Sequence, residues 1–165
     1  MLIHGWERGS REERRLRPLF VRNHKASKAL LPRLNSLVRR PRLRRMLFWQ
    51  VVAHGERIPP AAAAQMVRDS VSCPVYFELM DAIIRDGPPR GFDGVRCPVL
   101  LAWGTRDRII SARRCSKRLR DMLPGAEWVE LPGLGHSPMS DDPELVARTI
   151  TEFVGGVRKP AAVVN

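Results

Sequence analysis

Cysteine is scarce in this sequence of 165 residues, and the three cysteines present are Cys73, Cys97 and Cys115. They form no Cys-x-x-Cys pair, and an odd count at these spacings argues against a disulfide framework and a cysteine-based zinc site. We therefore expect buried free thiols in a reducing compartment. The sequence implies neither a metal ion nor a cofactor.

Long apolar segments are also absent. Charged residues begin at Glu7, so no secretory signal peptide is visible, and no apolar stretch is long enough to cross a membrane. The expected location is therefore the cytoplasm.

Acidic residues and lysine are few, and the net charge is +12. Residues 1–60 hold 15 Lys and Arg against 4 Asp and Glu, whereas residues 61–165 hold 14 against 13. The arginine bias fits either the coding habit of a GC-rich gene or an anionic partner such as nucleic acid, acidic lipid or an acidic substrate. Five arginines are tightly clustered just before Phe48 and Trp49: Arg39, Arg40, Arg42, Arg44 and Arg45.

This basic cluster supports an alternative function, in which a non-catalytic helical protein binds nucleic acid or an anionic membrane. The sequence contains no recognised nucleic-acid motif. Leucine and methionine at helical spacing in the same segment favour ordinary packing instead.

The clearest structural signals lie in residues 97–154. An uninterrupted apolar run at 99–103 predicts a strand covered on both faces, as in a parallel sheet flanked by helices. Helical spacing predicts a helix over Ala112–Met122 with Ser111 at its N-cap. Residues 128–131 predict a second strand, which a right-handed crossover places parallel to the first.

A final helix follows the second strand. Asp142 is a favourable N-cap, Pro143 fits the first helical position, and Gly155-Gly156 is expected to end the helix. Its predicted buried face comprises Leu145, Val146, Thr149, Ile150 and Phe153.

Two polar residues stand where the two predicted strands end. Asp107 follows the first strand and His136 follows the second. Because the carboxyl ends of parallel neighbours meet at one sheet edge, about 5 Å apart, the carboxylate can reach the imidazole. Such a pairing fixes the histidine tautomer and stabilises the imidazolium, as a nucleophile–His–acid mechanism requires.

The first part of the chain reads as helical, without repeats. Ser10 and Glu13 fit a capping box at the start of one helix. A second amphipathic helix is predicted over residues 26–38, where Pro32 marks either a kink or the true start. Further helices are predicted after Pro41, Pro59 and Pro74.

The segment ending in Gly104-Thr-Arg-Asp107 resembles the acid turn of α/β-hydrolases, and Gly135-His136 with the helix after Asp142 resembles their histidine turn. The resemblance covers roughly residues 92–154. It implies a partial α/β-hydrolase fold, in which a helical cap over residues 1–90 precedes core strands and helices over 91–155 and a flexible tail over 156–165. It also implies Asp107 and His136 as the catalytic acid and base, acting on a small hydrophobic ester-like substrate. Other members of the fold use an Asp nucleophile and act on epoxides or haloalkanes, and the sequence does not separate these reactions.

The Gly-x-Ser-x-Gly nucleophile motif of that family is missing from the sequence. We therefore expect a truncated chain that is inactive on its own, so that its status as an enzyme stays open. His4-Gly5 resembles either part of an oxyanion hole or a remnant of the strand before the cap. A sheet with so few strands also has exposed edges, which predicts marginal stability or self-association.

Overall fold

The computed structural model describes residues 9–86 and 91–158, and its contacts divide the chain into two units. The helical unit takes the described residues up to Trp49 and from His54 to Gly91. The α/β unit takes Gln50–Ala53 and the described residues from Phe92 onward. Residues 50–53, which we call the strap, thus lie in the α/β unit, although the prediction of one region over 1–90 placed them with the helices. That this region acts as a cap stays a prediction.

Over its described residues, the helical unit consists of five α-helices and two single turns of 3-10 helix. The turns are Leu31–Arg33 and Gly55–Arg57. The helices are α1 Arg11–Leu30, α2 Leu34–Leu37, α3 Pro41–Phe48, α4 Pro60–Ser72 and α5 Tyr76–Asp86.

Helix α1 begins at the predicted cap, because the Ser10 hydroxyl accepts the Glu13 backbone N–H at 3.1 Å. The Glu13 carboxylate accepts the N–H of Gly9, which precedes the cap. The sequence predicted a second helix over residues 26–38, whereas α1 continues to Leu30 with Pro18 inside it. No glycine or proline occurs between Pro18 and Pro32, so nothing in that segment breaks the helix.

The core of the helical unit comes from α2, α3 and α4. Leu34 and Val38 are each 2% exposed, and Phe48, Ala63 and Val67 are also buried. Burial of such side chains is the main favourable term in folding, at about 25 cal/mol per Å² of apolar surface.

The α/β unit contains the predicted strand–helix–strand order. Strands β1 Leu100–Gly104 and β2 Glu127–Leu131 are parallel, with Leu100 opposite Glu127 and Gly104 opposite Leu131. Helix α6 Ala112–Met122 connects them, and α7 Pro138–Asp141 and α8 Pro143–Arg158 follow β2. Within the described residues the sheet has these two strands, and self-association through its edges stays a prediction.

The side chains of the sheet alternate between two faces. Trp103 and Trp128 stack on one face with ring centroids 5.5 Å apart, whereas Leu131 packs with Val146 on the other. Ala102 is exposed, so the prediction that the first strand is covered on both faces was wrong at this position. An apolar run establishes that a strand can be buried, but the elements packed on it decide which positions are.

Helix α8 starts as predicted, because the Asp142 carboxylate accepts the Leu145 N–H at 2.9 Å. It passes through Gly155 and Gly156 to Arg158, so the predicted end and the tail from residue 156 were wrong for residues 156–158. Residues 159–165 lie outside the described residues. Ile150 is 53% exposed, although it was placed on the buried face.

Two further predictions concern cysteines and membranes. Cys97 is exposed and Cys73 is half-buried, so the expectation of buried thiols was wrong for Cys97. The Cys115 side chain lies outside the description. Among the residues described, no helix combines the length and the apolar character needed to cross a bilayer.

Candidate functional site

Asp107 ends the turn after β1 and is held by the backbone around it. Its N–H donates to the carbonyl of Gly104 at 3.1 Å. Its Oδ1 accepts the N–H groups of Ile109 and Ile110, both at 2.8 Å. The side chain is 7% exposed. The carboxylate is therefore fixed in direction, and its second oxygen is left to face another group.

His136 meets that second oxygen. The distance from its Nδ1 to Asp107 Oδ2 is 2.9 Å, and the imidazole is 17% exposed. Because an ionised carboxylate can only accept, we assign the proton of the neutral ring to Nδ1. The lone pair then lies on Nε2, which can take up a proton during a reaction. The structure brings the two predicted site residues together.

The turns that carry the pair are joined by backbone hydrogen bonds. The N–H of Thr105 donates to the carbonyl of Leu131 at 3.1 Å, and that of Arg106 donates to Leu134 at 2.8 Å. The Thr105 hydroxyl accepts the N–H of Gly133 at 2.8 Å. Gly133 has φ +78°, a conformation that glycine adopts without strain. The two turns thus form one cross-linked structure.

Close backbone contacts make two further glycines necessary. A Cβ on Gly104 would come closer than 3.0 Å to the carbonyl oxygens of Leu134 and Gly135. A Cβ on Gly135 would lie 2.8 Å from the nitrogen of Ala53 and 2.9 Å from the carbonyl carbon of Val52. The glycine before His136 therefore permits the strap to lie directly against the histidine turn.

Asp141 is the residue beside the site that the sequence reasoning missed. It is 6% exposed, and its Oδ2 accepts the N–H of Gly135 at 2.7 Å and that of Ala53 at 2.9 Å. The only available signal was a second aspartate directly before Asp142. One residue can occupy the N-cap of α8, so the neighbouring carboxylate was left without an assigned role.

A groove of about 330 Å³ opens beside the acid on the α6 side of the sheet. Its lining includes Trp103, Thr105, Asp107, Ser111, Arg120 and Glu130. The Arg120 guanidinium lies over the Trp128 ring, 4.1 Å from its centroid. The indole N–H of Trp103 donates to the carbonyl of Ile110 at 2.8 Å, which stabilises the segment after Asp107.

The arginine cluster of the alternative function is divided between surface and interior. Arg44 is 6% exposed and donates to the carbonyls of Val38 at 2.6 Å, Arg39 at 3.2 Å and Glu56 at 2.7 Å. The other four members of the cluster are exposed. Arg44 therefore serves the fold of the helical unit.

Two other predictions concern His4-Gly5 and metal binding. His4-Gly5 lies outside the described residues. In the parts of the chain that the structure does describe, no group of three or more His, Cys, Asp or Glu side chains is arranged to hold a metal ion.

Comparison with known proteins gives consistent matches. A profile of the alpha/beta hydrolase family matches residues 2–149. The epoxide hydrolase EphH of Mycobacterium tuberculosis is 30% identical over 91 residues, which are 54% of this chain and 42% of that protein. The uncharacterized hydrolase YugF of Bacillus subtilis is 33% identical over 82 residues, which are 47% of this chain and 30% of that protein. The chain thus spans less than half the length of these curated relatives.

A solved structure adds information on the fold. The crystal structure of a bacterial membrane phospholipase A superposes with a TM-score of 0.59 at 24% identity, covering 76% of this chain and 41% of that one. At this identity the likeness is one of fold alone.

Proposed function

Because the chain belongs to the alpha/beta hydrolase family, we propose that it carries the acid and the base of a hydrolytic site, Asp107 and His136. The observation that supports this most directly is the 2.9 Å hydrogen bond between His136 Nδ1 and Asp107 Oδ2. The other carboxylate oxygen is held by two backbone N–H groups, so the acid cannot turn away from the histidine.

In this proposal His136 acts first as general base and then as general acid. Its Nε2 takes the proton from the attacking nucleophile and returns it to the leaving group. Asp107 keeps the Nδ1–H tautomer in place and stabilises the imidazolium that forms, without itself taking up the proton.

The substrate class we propose is a small hydrophobic ester or similar acyl compound. Its hydrolysis consumes one water and yields an acid and an alcohol. Opening of an epoxide by water is a second candidate, because one relative at 30% identity is named an epoxide hydrolase. The same histidine–acid pair can serve both reactions, since each needs a base to activate a nucleophile or water.

The nucleophile is not supplied by a Gly-x-Ser-x-Gly motif in these 165 residues. We therefore propose that the pair acts together with a nucleophile from outside this sequence, and that the isolated chain does not turn over substrate. Turnover of an activated ester by the purified 165-residue chain, lost on His136→Ala, would contradict this part of the proposal.

The experiment that tests the site measures the protein in the form in which its source makes it, because the isolated 165-residue chain is expected to be inactive. Variants are produced in that source and purified in the same way. Initial rates are measured with a p-nitrophenyl ester and with styrene oxide for the wild type, Asp107→Asn and Asp121→Asn. In Asp107→Asn, the amide oxygen keeps the Ile109 and Ile110 N–H groups, so its NH₂ faces His136 Nδ1. The histidine proton then moves to Nε2, and kcat should fall by about 10⁴-fold.

Asp121 is the matched control, because it is an exposed carboxylate on α6 paired with Lys117 at 2.9 Å. Its variant should leave the rate unchanged. Equal turnover above background in Asp107→Asn and the wild type would refute the assignment of the acid. If styrene oxide is converted to its diol and the ester is not hydrolysed, the proposed substrate class becomes an epoxide instead of an acyl compound.

A further inference from the structure

The buried carboxylate of Asp141 lies beside the turn that carries the proposed base. Its Oδ2 accepts two backbone N–H groups, from Gly135 at 2.7 Å and from Ala53 at 2.9 Å. Gly135 directly precedes His136 in the sequence, whereas Ala53 belongs to the strap. One oxygen atom thus joins the histidine turn to the strap.

The residue on the other side of His136 is tied to the same strap. The N–H of Ser137 donates to the carbonyl of Val51 at 2.8 Å. Both neighbours of the histidine are therefore held, one directly and one through Asp141. Because the backbone is fixed on each side, the imidazole has little freedom to move relative to Asp107.

Burial of a carboxylate carries a large desolvation cost, which charge-assisted hydrogen bonds to N–H groups offset. Helix initiation does not explain the residue, since the neighbouring Asp142 already caps α8. The two adjacent aspartates thus have separate contacts: Asp142 holds the helix, and Asp141 holds the turn that bears His136.

We propose that Asp141 is a positioning residue for His136. By accepting the Gly135 and Ala53 N–H groups, it fixes the histidine turn so that Nδ1 stays within hydrogen-bond distance of Asp107. A role of Asp141 in catalysis rests on the proposed function of His136 and Asp107. The effect of Asp141 on the position of His136 can be measured without substrate. A failure of the positioning role can therefore be told from a failure of the proposed hydrolytic function.

The test is nuclear magnetic resonance of the full chain with ¹⁵N-labelled histidine. Ring nitrogen shifts give the tautomer of His136, and a downfield proton signal reports its Nδ1–H bonded to a carboxylate. Asp141→Ala should lose the downfield signal and the preference for the Nδ1–H tautomer. Asp141→Asn keeps an acceptor oxygen and should retain both.

Asp142→Asn is the matched control, because it changes the neighbouring carboxylate and leaves the Gly135 contact in place. It should keep the His136 spectrum of the wild type. Wild-type spectra in a folded Asp141→Ala variant would overturn the proposal. Loss of the signal in a folded Asp141→Asn variant would also overturn it, because that variant keeps the acceptor.

If Asp141→Ala does not fold, Asp141→Ser takes its place, since the shorter side chain withdraws the oxygen from both N–H groups. Loss of the downfield signal in folded Asp141→Ser supports the positioning role, and its full retention refutes it.

Discussion

The two units each bury one of the charged side chains found in the interior of the described structure. The helical unit buries Arg44 and the α/β unit buries Asp141, and each is 6% exposed. Arg44 donates to three backbone carbonyls, whereas Asp141 accepts two backbone N–H groups. Both side chains thus supply hydrogen-bond partners for backbone groups in the interior. Arg44 does so as a cation that donates, and Asp141 does so as an anion that accepts.

The sign follows from which backbone groups are left without partners. Helix ends leave carbonyls unpaired, and Val38 and Arg39 directly follow α2. The planar guanidinium offers several N–H donors in a fixed geometry, which suits such a set. The turn after β2 instead presents an N–H group beside His136, and a carboxylate accepts it. The charge of Arg44 maintains the fold of the helical unit, whereas the charge of Asp141 lies beside the proposed site.

Removal of Arg44 should have the largest effect on stability. Arg44→Ala leaves three carbonyls of the helical unit without their donor, and each unsatisfied buried group costs about 1–3 kcal/mol. We expect a loss of about 3 kcal/mol in the free energy of unfolding. The measurement is urea denaturation followed by circular dichroism.

Arg42→Ala is the control for this variant, because Arg42 is an exposed arginine on the same helix α3. Its effect should stay within about 0.5 kcal/mol. Equal losses in both variants would mean that positive charge, and not the bonds of Arg44, stabilises the helical unit.

A methyl group at Gly135 should have the next largest effect. In Gly135→Ala, the new Cβ would lie 2.8 Å from Ala53 N and would push the strap from the histidine turn. Overpacking of this kind costs about 1–3 kcal/mol. We also expect the hydrogen-bonded Nδ1 proton signal of His136 to disappear, because a shift of the strap would move the histidine turn of the α/β unit.

The control is Gly125→Ala, since no atom lies within 4 Å of a Cβ built at that glycine. This variant should change stability by no more than about 0.5 kcal/mol. An unchanged His136 signal in Gly135→Ala would show that the strap can shift without affecting the histidine.

The smallest expected effect concerns Glu56 and pH. A hydrogen bond from its own backbone N–H lowers the pKa of Glu56 from 4.5. Burial opposes this effect, and weaker contacts with His54 and Arg45 lower the pKa further. A lowered pKa means that the ionised group stabilises the fold above pH 4.5 and that this contribution is lost as pH falls through the folded value.

The stability difference between the wild type and Glu56→Gln should therefore be larger at about pH 7 than at about pH 3.5. Urea midpoints at the two pH values measure it. A difference that stays constant would assign the effect to packing and not to the charge of Glu56.

Much of the α/β unit could be predicted from local patterns. The family and fold class are confirmed, and α6 has the predicted bounds. The approach of Asp107 to His136 followed from one topological rule, that parallel neighbours end at the same sheet edge. The catalytic roles of both residues stay predictions.

The contacts of Asp141 and the strap could not be predicted, because they join segments far apart in the sequence. Gln50–Ala53 shows no periodic pattern that distinguishes it from the helices around it. The exposure of Ala102 was missed for a related reason. Hydrophobic periodicity identifies an element, but the neighbours that cover it are chosen by tertiary packing.

The hydrogen bond between Ala53 and Asp141 has a consequence for the order of folding. It closes a loop of 88 residues, and the entropic cost of closure grows with the logarithm of loop length. Contacts of such long range slow folding relative to local helices and turns. During synthesis, moreover, the strap leaves the ribosome long before its partner. We therefore expect His136 to reach its final position only after most of the chain has been made and the local helices have formed.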